Sequence, residues 1–218
     1  MAALETLRLY ATVFEDSAQS IIIADASRRV LAVNRMFTEV SGYTAEEVVG
    51  KEPVFLRPDF TQKKFYERLW ETVNSEGHWV GEISSRRRNG EAFPAWLAIS
   101  AIRDENGMVT HYTSILTDIS ARKEAEERIH FLIHHDALTG LPNRFMLKDH
   151  IGLAIAHARR NQAMVAVMAV NLDRFRDINE RYGHHTGDQL LQTVALRLAG
   201  QLREEDTVAR IGADNFMV

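Results

Sequence analysis

Two short segments carry most of the side chains in this sequence whose types and spacing suit chemistry. Asn171-Leu172-Asp173 opens the run NLDRFRDINERYGHHTGD, which ends at Asp188, and Gly212-Ala213-Asp214-Asn215-Phe216 follows further along. Phosphoryl transfer needs a divalent metal to bind phosphate oxygens and neutralise developing charge, and Mg²⁺ prefers carboxylates plus water in octahedral geometry. Two carboxylates from different segments meet that need, and Asp173 and Asp214 are such a pair. Asn171 and Asn215 are amides, which offer an oxygen without the charge. A third segment, Arg203-Glu204-Glu205-Asp206, sets a guanidinium and a carboxylate where they can fork onto an anion or a base edge, or simply pair at an exposed helix end.

These segments need a scaffold. Ala163 to Leu172, AMVAVMAVNL, is a continuous apolar run of the kind found in a buried strand flanked by helices, which puts Asn171 at a strand end. Upstream, Ser120 to His134 reads as a charged helix with Ala125, Ile129 and Leu132 at alternating four- and three-residue steps. Such a helix is either the lever of a dimer or an amphipathic linker packing on its own domain. Gly140 reads as its stop and Pro142 as a first-turn residue of the next helix.

The segment HDALTGLPNR from His135 to Arg144, the run from Asn171 to Asp188 and the GADNF signature together resemble the GGDEF (diguanylate cyclase) family. The resemblance implies an α/β nucleotidyl-cyclase-like domain, GTP and cyclic di-GMP as ligands and Mg²⁺ as the metal. It places metal contacts on Asn171 (Asp in the family), Leu172 and Asp214, and catalytic positions on Asp214, Asn215 (Glu in the family) and Asp173. Nucleotide recognition falls on Phe175, Arg176, Asn179 and Asp188, and an inhibitory cyclic di-GMP site on Arg203 and Asp206. Gly183-His184 and Gly187 fit a tight turn between helices, His184 and His185 read as turn or surface residues, and Asp136 and Asn143 read as turn and cap residues.

Three departures meet at one chemical centre. Asn171 and Asn215 each drop a negative charge, and Ala213 stands where the family has Gly. If that position has positive φ, its Cβ costs on the order of 1 kcal/mol. The expectation is a domain impaired in turnover that binds GTP or cyclic di-GMP as a regulatory module. An active diguanylate cyclase condensing two GTP, with Asp214 and Asp173 carrying the metal, and a structural dimerisation module are the alternatives. Because the family continues well beyond its signature, the chain is expected to be a fragment, with an EAL phosphodiesterase domain as a possible neighbour in the native protein.

The first half has a different layout. Residues 1–14 give a short amphipathic helix with Leu4, Leu7, Tyr10 and Phe14 at helical spacing; Ser20–Asp25 and Val30–Asn34 give a hairpin; Phe60 to Val73 gives a longer helix. His78–Arg87, Ala92–Arg103 and Val109–Ile119 read as strands separated by Asn89-Gly90 and Asn106-Gly107, both strong hairpin signals. Two strands, a group of helices and three antiparallel strands make an α+β layout with helices on one face of the sheet. The text ADASRRVLAVNRMFTEVSGYTAEEVVGK, then GHWVGEISSRRRNGEAFP, then Asp118-Ile119-Ser120 resembles a PAS domain, which implies a sensory or dimerisation module. The division expected is a helix at 1–14, a PAS domain at 15–119, a helical linker at 120–140 and a partial GGDEF domain at 141–218. Trp70, Trp79 and Trp96 read as core aromatics.

FAD is a possible ligand by resemblance of Leu69-Trp70 and Trp79-Val80-Gly81-Glu82 to flavin-binding relatives, although those usually carry Asn where this chain has Ser85. Haem is disfavoured because Phe60 to Val73 holds no His for an axial ligand; His78 and His111 fall on strands. The absence of cysteine removes disulfides, thiolate metal sites and flavin–cysteine photochemistry. Lys+Arg number 26 against 30 Asp+Glu, so the chain lacks the basic excess of a duplex binder, and nucleic acid is not an expected partner. The Arg86-Arg87-Arg88 run reads as a solvated strand end. No apolar run reaches the roughly 20 residues of a membrane span. A cytoplasmic setting is expected, and the resemblances, with the linker helix as a lever, imply a homodimer.

Overall fold

Alternation along Ala92–Arg103 puts Phe93, Ala95, Leu97 and Ile99 on one face, and in the computed structural model all four are buried. The structure describes residues 1–58, 63–203 and 205–218. The chain divides into two units, Met1–Lys123 and Glu124–Val218.

The first unit runs α1 (Ala2–Glu15), β1 (Ser20–Asp25), β2 (Val30–Val33), α2 (Arg35–Ser41), α3 (Ala45–Val48), a 3-10 turn at Pro53–Leu56, α4 (Lys63–Glu76), β3 (His78–Arg86), β4 (Ala92–Arg103) and β5 (Val109–Asp118). The five strands form one sheet in the order β2-β1-β5-β4-β3, with every neighbouring pair antiparallel. Phe37, Val48, Leu69 and Val73 from the helices share one core with Val30, Ala95 and Leu116 from the strands. The expected start of α4 at Phe60 lies outside the described residues. Between β4 and β5, Asp104 Oδ1 accepts from the N–H groups of Asn106 and Met108, both at 2.9 Å, and Gly107 has φ +80°. That Asx-type turn is the reason Asn106-Gly107 is a hairpin.

Two side chains depart from the sequence reading. Arg87 is not a solvated strand end: it donates to the Val40 carbonyl and the Asp118 carboxylate, and its guanidinium lies over the Phe93 ring at 4.1 Å. A strand end becomes an anchor when a carboxylate of another strand faces it. Trp96 is 40% exposed because alternation turns it away from the face that holds Ala95 and Leu97. Trp70 and Trp79 pack on the core as expected.

Asn34 holds the start of this unit together. It is 1% exposed; its Oδ1 accepts from Ile21 N at 2.9 Å and Phe37 N at 3.0 Å, and its Nδ2 donates to Phe14 O at 3.0 Å and Gln19 O at 2.8 Å. One amide thus caps α2, ties β1 and fastens the end of α1, whose Leu4, Leu7, Tyr10 and Val13 remain exposed.

The second unit includes most of α5 (Ser120–His134), then α6 (Arg144–Asn161), β6 (Ala169–Asn171), α7 (Phe175–Tyr182), α8 (His184–Gln201), β7 (Ala209–Gly212) and β8 (Asn215–Met217). Its strands order as β6-β8-β7, and Phe216, Leu191 and Ala195 form the buried core, against which Leu138, Val170, Leu172 and Phe175 pack. The expected buried strand over Ala163–Leu172 shortens to Ala169–Asn171, and Met164, Val167 and Met168 are exposed. An apolar run is buried only where other elements cover it, and among the described residues β6 pairs with β8 alone. Gly140 does not end α5, which stops at His134; it sits in a turn with φ +71°. Pro142 precedes the cap Asn143, whose Oδ1 accepts from Phe145 N and Met146 N, so it lies before α6 and not in its first turn.

Asn34→Ala strips four hydrogen bonds and leaves buried backbone groups unpaired, so we expect unfolding stability to fall by about 2–4 kcal/mol. Chemical denaturation with an unchanged slope and a loss under about 1 kcal/mol would show that the amide is dispensable.

Candidate functional site

The candidate site is built on the β7–β8 hairpin and the turn after β6. Strand pairing sets Asn171 directly opposite Asn215, and the Asn171 side chain donates from Nδ2 to Asn215 Oδ1 at 3.0 Å. Asp214 precedes Asn215 in the hairpin turn and is half-buried; Asn215 Nδ2 lies 3.5 Å from its Oδ1. Leu172 N donates to Asp214 O at 3.4 Å, and Leu172 O accepts from Phe175 N at 3.3 Å as the chain turns into α7. Ala213 has φ +43°, so the position does require the left-handed region that its Cβ makes costly. Arg174, the residue before α7, also has positive φ, at +55°.

Packing of α7 on α8 forms the wall opposite this turn. Gly187 lies inside α8, not in the turn between the helices: a Cβ there would sit 1.9 Å from Asn179 Oδ1 and 3.2 Å from the Phe175 ring, so only glycine allows the approach. Gly183 alone makes the turn, with φ +82°. Phe175, Arg176, Asn179, Glu180, His184, Ala213 and Asp214 line a concavity of about 430 Å³. The structure therefore brings together Phe175, Arg176, Asn179 and Asp214. Asp173 and Asp188 are exposed and lie outside that lining, and Arg176 is tied to Glu180 at 2.9 Å.

Arg203 and Asp206 are exposed, and they bond through the backbone: Arg203 N donates to Asp206 Oδ2 and Asp206 N to Arg203 O, both at 3.1 Å. Glu204 between them lies outside the described residues.

The residue that sequence reasoning missed is Arg210. Its Nη1 donates to both oxygens of Asp136 at 2.9 and 3.1 Å, while Nε and Nη2 donate to Ala213 O at 3.0 and 2.6 Å. The only sequence signal is a lone Arg two residues before Gly212 and a lone Asp far upstream; no local pattern joins them. Asp136 is therefore more than a turn residue, although it also accepts from Thr139 N and Oγ1. Burial pushes the Asp136 carboxyl up, but hydrogen bonds from Thr139 and Arg210 outweigh it and hold the group below its ordinary 3.8.

A resident Mg²⁺ does not fit this donor set. The metal favours charged oxygens in an octahedral shell, whereas Asn171 and Asn215 offer neutral amide oxygens and leave Asp214 as the carboxylate of the turn. Among the described residues no group of three or more His, Cys, Asp or Glu is placed to hold an ion.

In the first unit, a cavity of about 60 Å³ lies between sheet and helices, with Arg57, Tyr66, Trp70 and Ser85 in its lining. Ser85 is fully buried and donates to Leu56 O at 3.2 Å. Pockets for drug-sized ligands run from roughly 300 Å³ upward, so this cavity is small beside them. His78 and His111 are exposed and outside the lining.

The two units define two classes: an α+β sensor-type domain with helices on one face of an antiparallel sheet, and a domain that presents an acidic turn beside a pair of helices. Comparison with known families names them. Residues 18–121 match the PAS domain family and residues 133–218 match "Diguanylate cyclase, GGDEF domain". The chain is a PAS domain followed by a GGDEF domain. Diguanylate cyclase TpbB of Pseudomonas aeruginosa is 46% identical over 85 residues, 39% of this chain and 20% of that protein. Cyclic di-GMP phosphodiesterase PdeR of Escherichia coli is 30% identical over 220 residues, 94% of this chain and 31% of that protein. The chain thus spans 20% and 31% of these two curated relatives. The PAS domain of a protein from Colwellia psychrerythraea superposes with TM-score 0.51 at 21% identity, covering 54% of this chain and 99% of that one, which supports the fold of the first unit.

Two outcomes follow for the site's frame. Because the unfolded chain protonates Asp136 first as pH falls, the carboxylate's contribution is complete above about pH 5 and fades below 4. Asp136→Asn should cost about 1–3 kcal/mol at neutral pH and flatten the acid limb of the stability curve; an unchanged acid limb would remove Asp136 from the account. Ala213→Gly should raise stability by about 0.5–1 kcal/mol by relieving the left-handed Cβ, measured by denaturation. A loss would mean that the turn carries no such strain.

Proposed function

We propose that this chain is the input and regulatory part of a cytoplasmic cyclic di-GMP signalling protein, in which the PAS domain controls a GGDEF domain that binds GTP or cyclic di-GMP without condensing GTP. The observation that carries the reading is the Asn171–Asn215 pair. Two amides bonded at 3.0 Å occupy the positions where the family resemblance implies carboxylates, so the charge that would organise phosphoryl transfer is missing from both strands at once. Recognition is better kept: Asn179 lines the concavity beside Asp214, with Phe175 and Arg176 at the same wall. The guanine-reading role of Asn179 and Asp188, the phosphate role of Phe175-Arg176 and the cyclic di-GMP role of Arg203 and Asp206 belong to this proposal, as do a homodimer and an EAL phosphodiesterase domain as the regulated output. The likeness to a phosphodiesterase over 94% of the chain supports that last element.

An active cyclase is the second reading, supported by the 46% identity of the GGDEF region to a diguanylate cyclase. Cyclic di-GMP formation from GTP in excess Mg²⁺ separates the two. We expect no product, while GTP raises the thermal midpoint; steady product from the unaltered protein would make it a cyclase. Asn171→Asp combined with Asn215→Glu should raise turnover by about a hundredfold, equivalent to about 2.7 kcal/mol of barrier.

A further inference from the structure

We propose that the GGDEF domain of this chain takes its nucleotide as the free triphosphate, without divalent metal, and that the Asn171–Asn215 amide pair is the device that makes this so. The inference rests on the nucleotide-binding reading above and adds to it the ionic form of the ligand.

Three backbone oxygens around the turn already accept hydrogen bonds. Leu172 O accepts from Phe175 N, Asp214 O from Leu172 N, and Ala213 O from Arg210 twice. Between Asn171 and Asn215, whichever way the two amides face, one carbonyl oxygen and one N–H are consumed by their mutual bond. A metal held here would meet neutral amide oxygens at both strand positions, with Asp214 as the charged donor of the turn.

The N–H groups tell the opposite story. With one N–H spent on the mutual bond and one on Asp214 Oδ1, the amide pair keeps two of its four N–H donors, and phosphate oxygens accept such donors where a cation cannot. Charge points the same way. A metal in a carboxylate-rich site offsets repulsion between carboxylates and phosphates, and that repulsion acts strongly at close range. With amides at 171 and 215, Asp214 is the one carboxylate of the hairpin turn, and Glu180, the other carboxylate lining the concavity, is paired with Arg176. The task a metal performs is reduced at its source, and at the wall of the concavity the Arg176–Glu180 pair adds no net negative charge.

The test is binding of a fluorescent GTP analogue to the full chain in excess Mg²⁺ and in excess EDTA. We expect dissociation constants within about threefold of each other. The Asn171→Asp, Asn215→Glu double variant, shown to be folded by its thermal midpoint, should bind about tenfold more weakly in EDTA than in Mg²⁺ because its restored carboxylates repel the phosphates. Weakening of about tenfold or more on chelation in the unaltered chain overturns the inference and leaves nucleotide binding standing. Absence of binding in both conditions overturns nucleotide binding and the inference with it. If the double variant does not fold, the comparison in the unaltered chain decides alone.

Discussion

The geometry of the second unit depends on one guanidinium. Arg210 is 11% exposed on its side chain and divides its donors between the Asp136 carboxylate and the Ala213 carbonyl. Its backbone N–H also donates to Pro142 O at 2.9 Å. The planar fork is what makes this possible, since it addresses a carboxylate on one edge and a carbonyl on the other; a lysine ammonium presents no such pair of edges. The segment that enters the domain at Asp136 and the turn that carries Asp214 are thereby fixed to each other. Ala213 is held in a left-handed conformation, a state an isolated alanine disfavours, because the surroundings over-determine it.

The same device recurs in the first unit. Arg87 joins the Val40 carbonyl to the Asp118 carboxylate, and Asp118 Oδ1 in turn accepts from Ser120 N at 2.8 Å, at the start of α5. Burial pushes the Asp118 carboxyl up, yet the Ser120 and Arg87 hydrogen bonds together hold it below its ordinary value. Breaking such a half-buried pair costs more than forming it gains, because the partner left behind is an uncompensated charge. Each arginine therefore works as a constraint on position more than as a source of net stability.

These constraints mark the limit of what the sequence made legible. The extent of β4 matches its sequence reading residue for residue, and α5 begins where it was read, at Ser120, because a period of two over Ala92–Arg103 and a helical stretch from Ser120 are local properties. The hairpins at Asn89-Gly90 and Asn106-Gly107 were legible for the same reason. Arg87, Arg210 and the exposure of Met164 and Met168 were not. Each depends on which distant group arrives beside the residue, and composition alone treats an apolar run as buried and an arginine as solvated. In the site, the individual departures at Asn171, Ala213 and Asn215 could be read from the sequence, but their relationship could not.

That relationship changes what the departures mean. Substituting one strand position would leave an amide opposite a carboxylate, a pairing that still holds a charge near the turn and an N–H to satisfy it. Substituting both removes the charge and leaves two groups that satisfy each other across the register at 3.0 Å. Neither amide is left as an orphan, and β6 is fastened to β8 by side chains as well as by backbone. Under the proposed function, two amides where the family resemblance implies acidic groups would ordinarily read as damage. The pair adds a cross-strand contact between β6 and the hairpin that presents Asp214, and it does so without bringing a charge to either position.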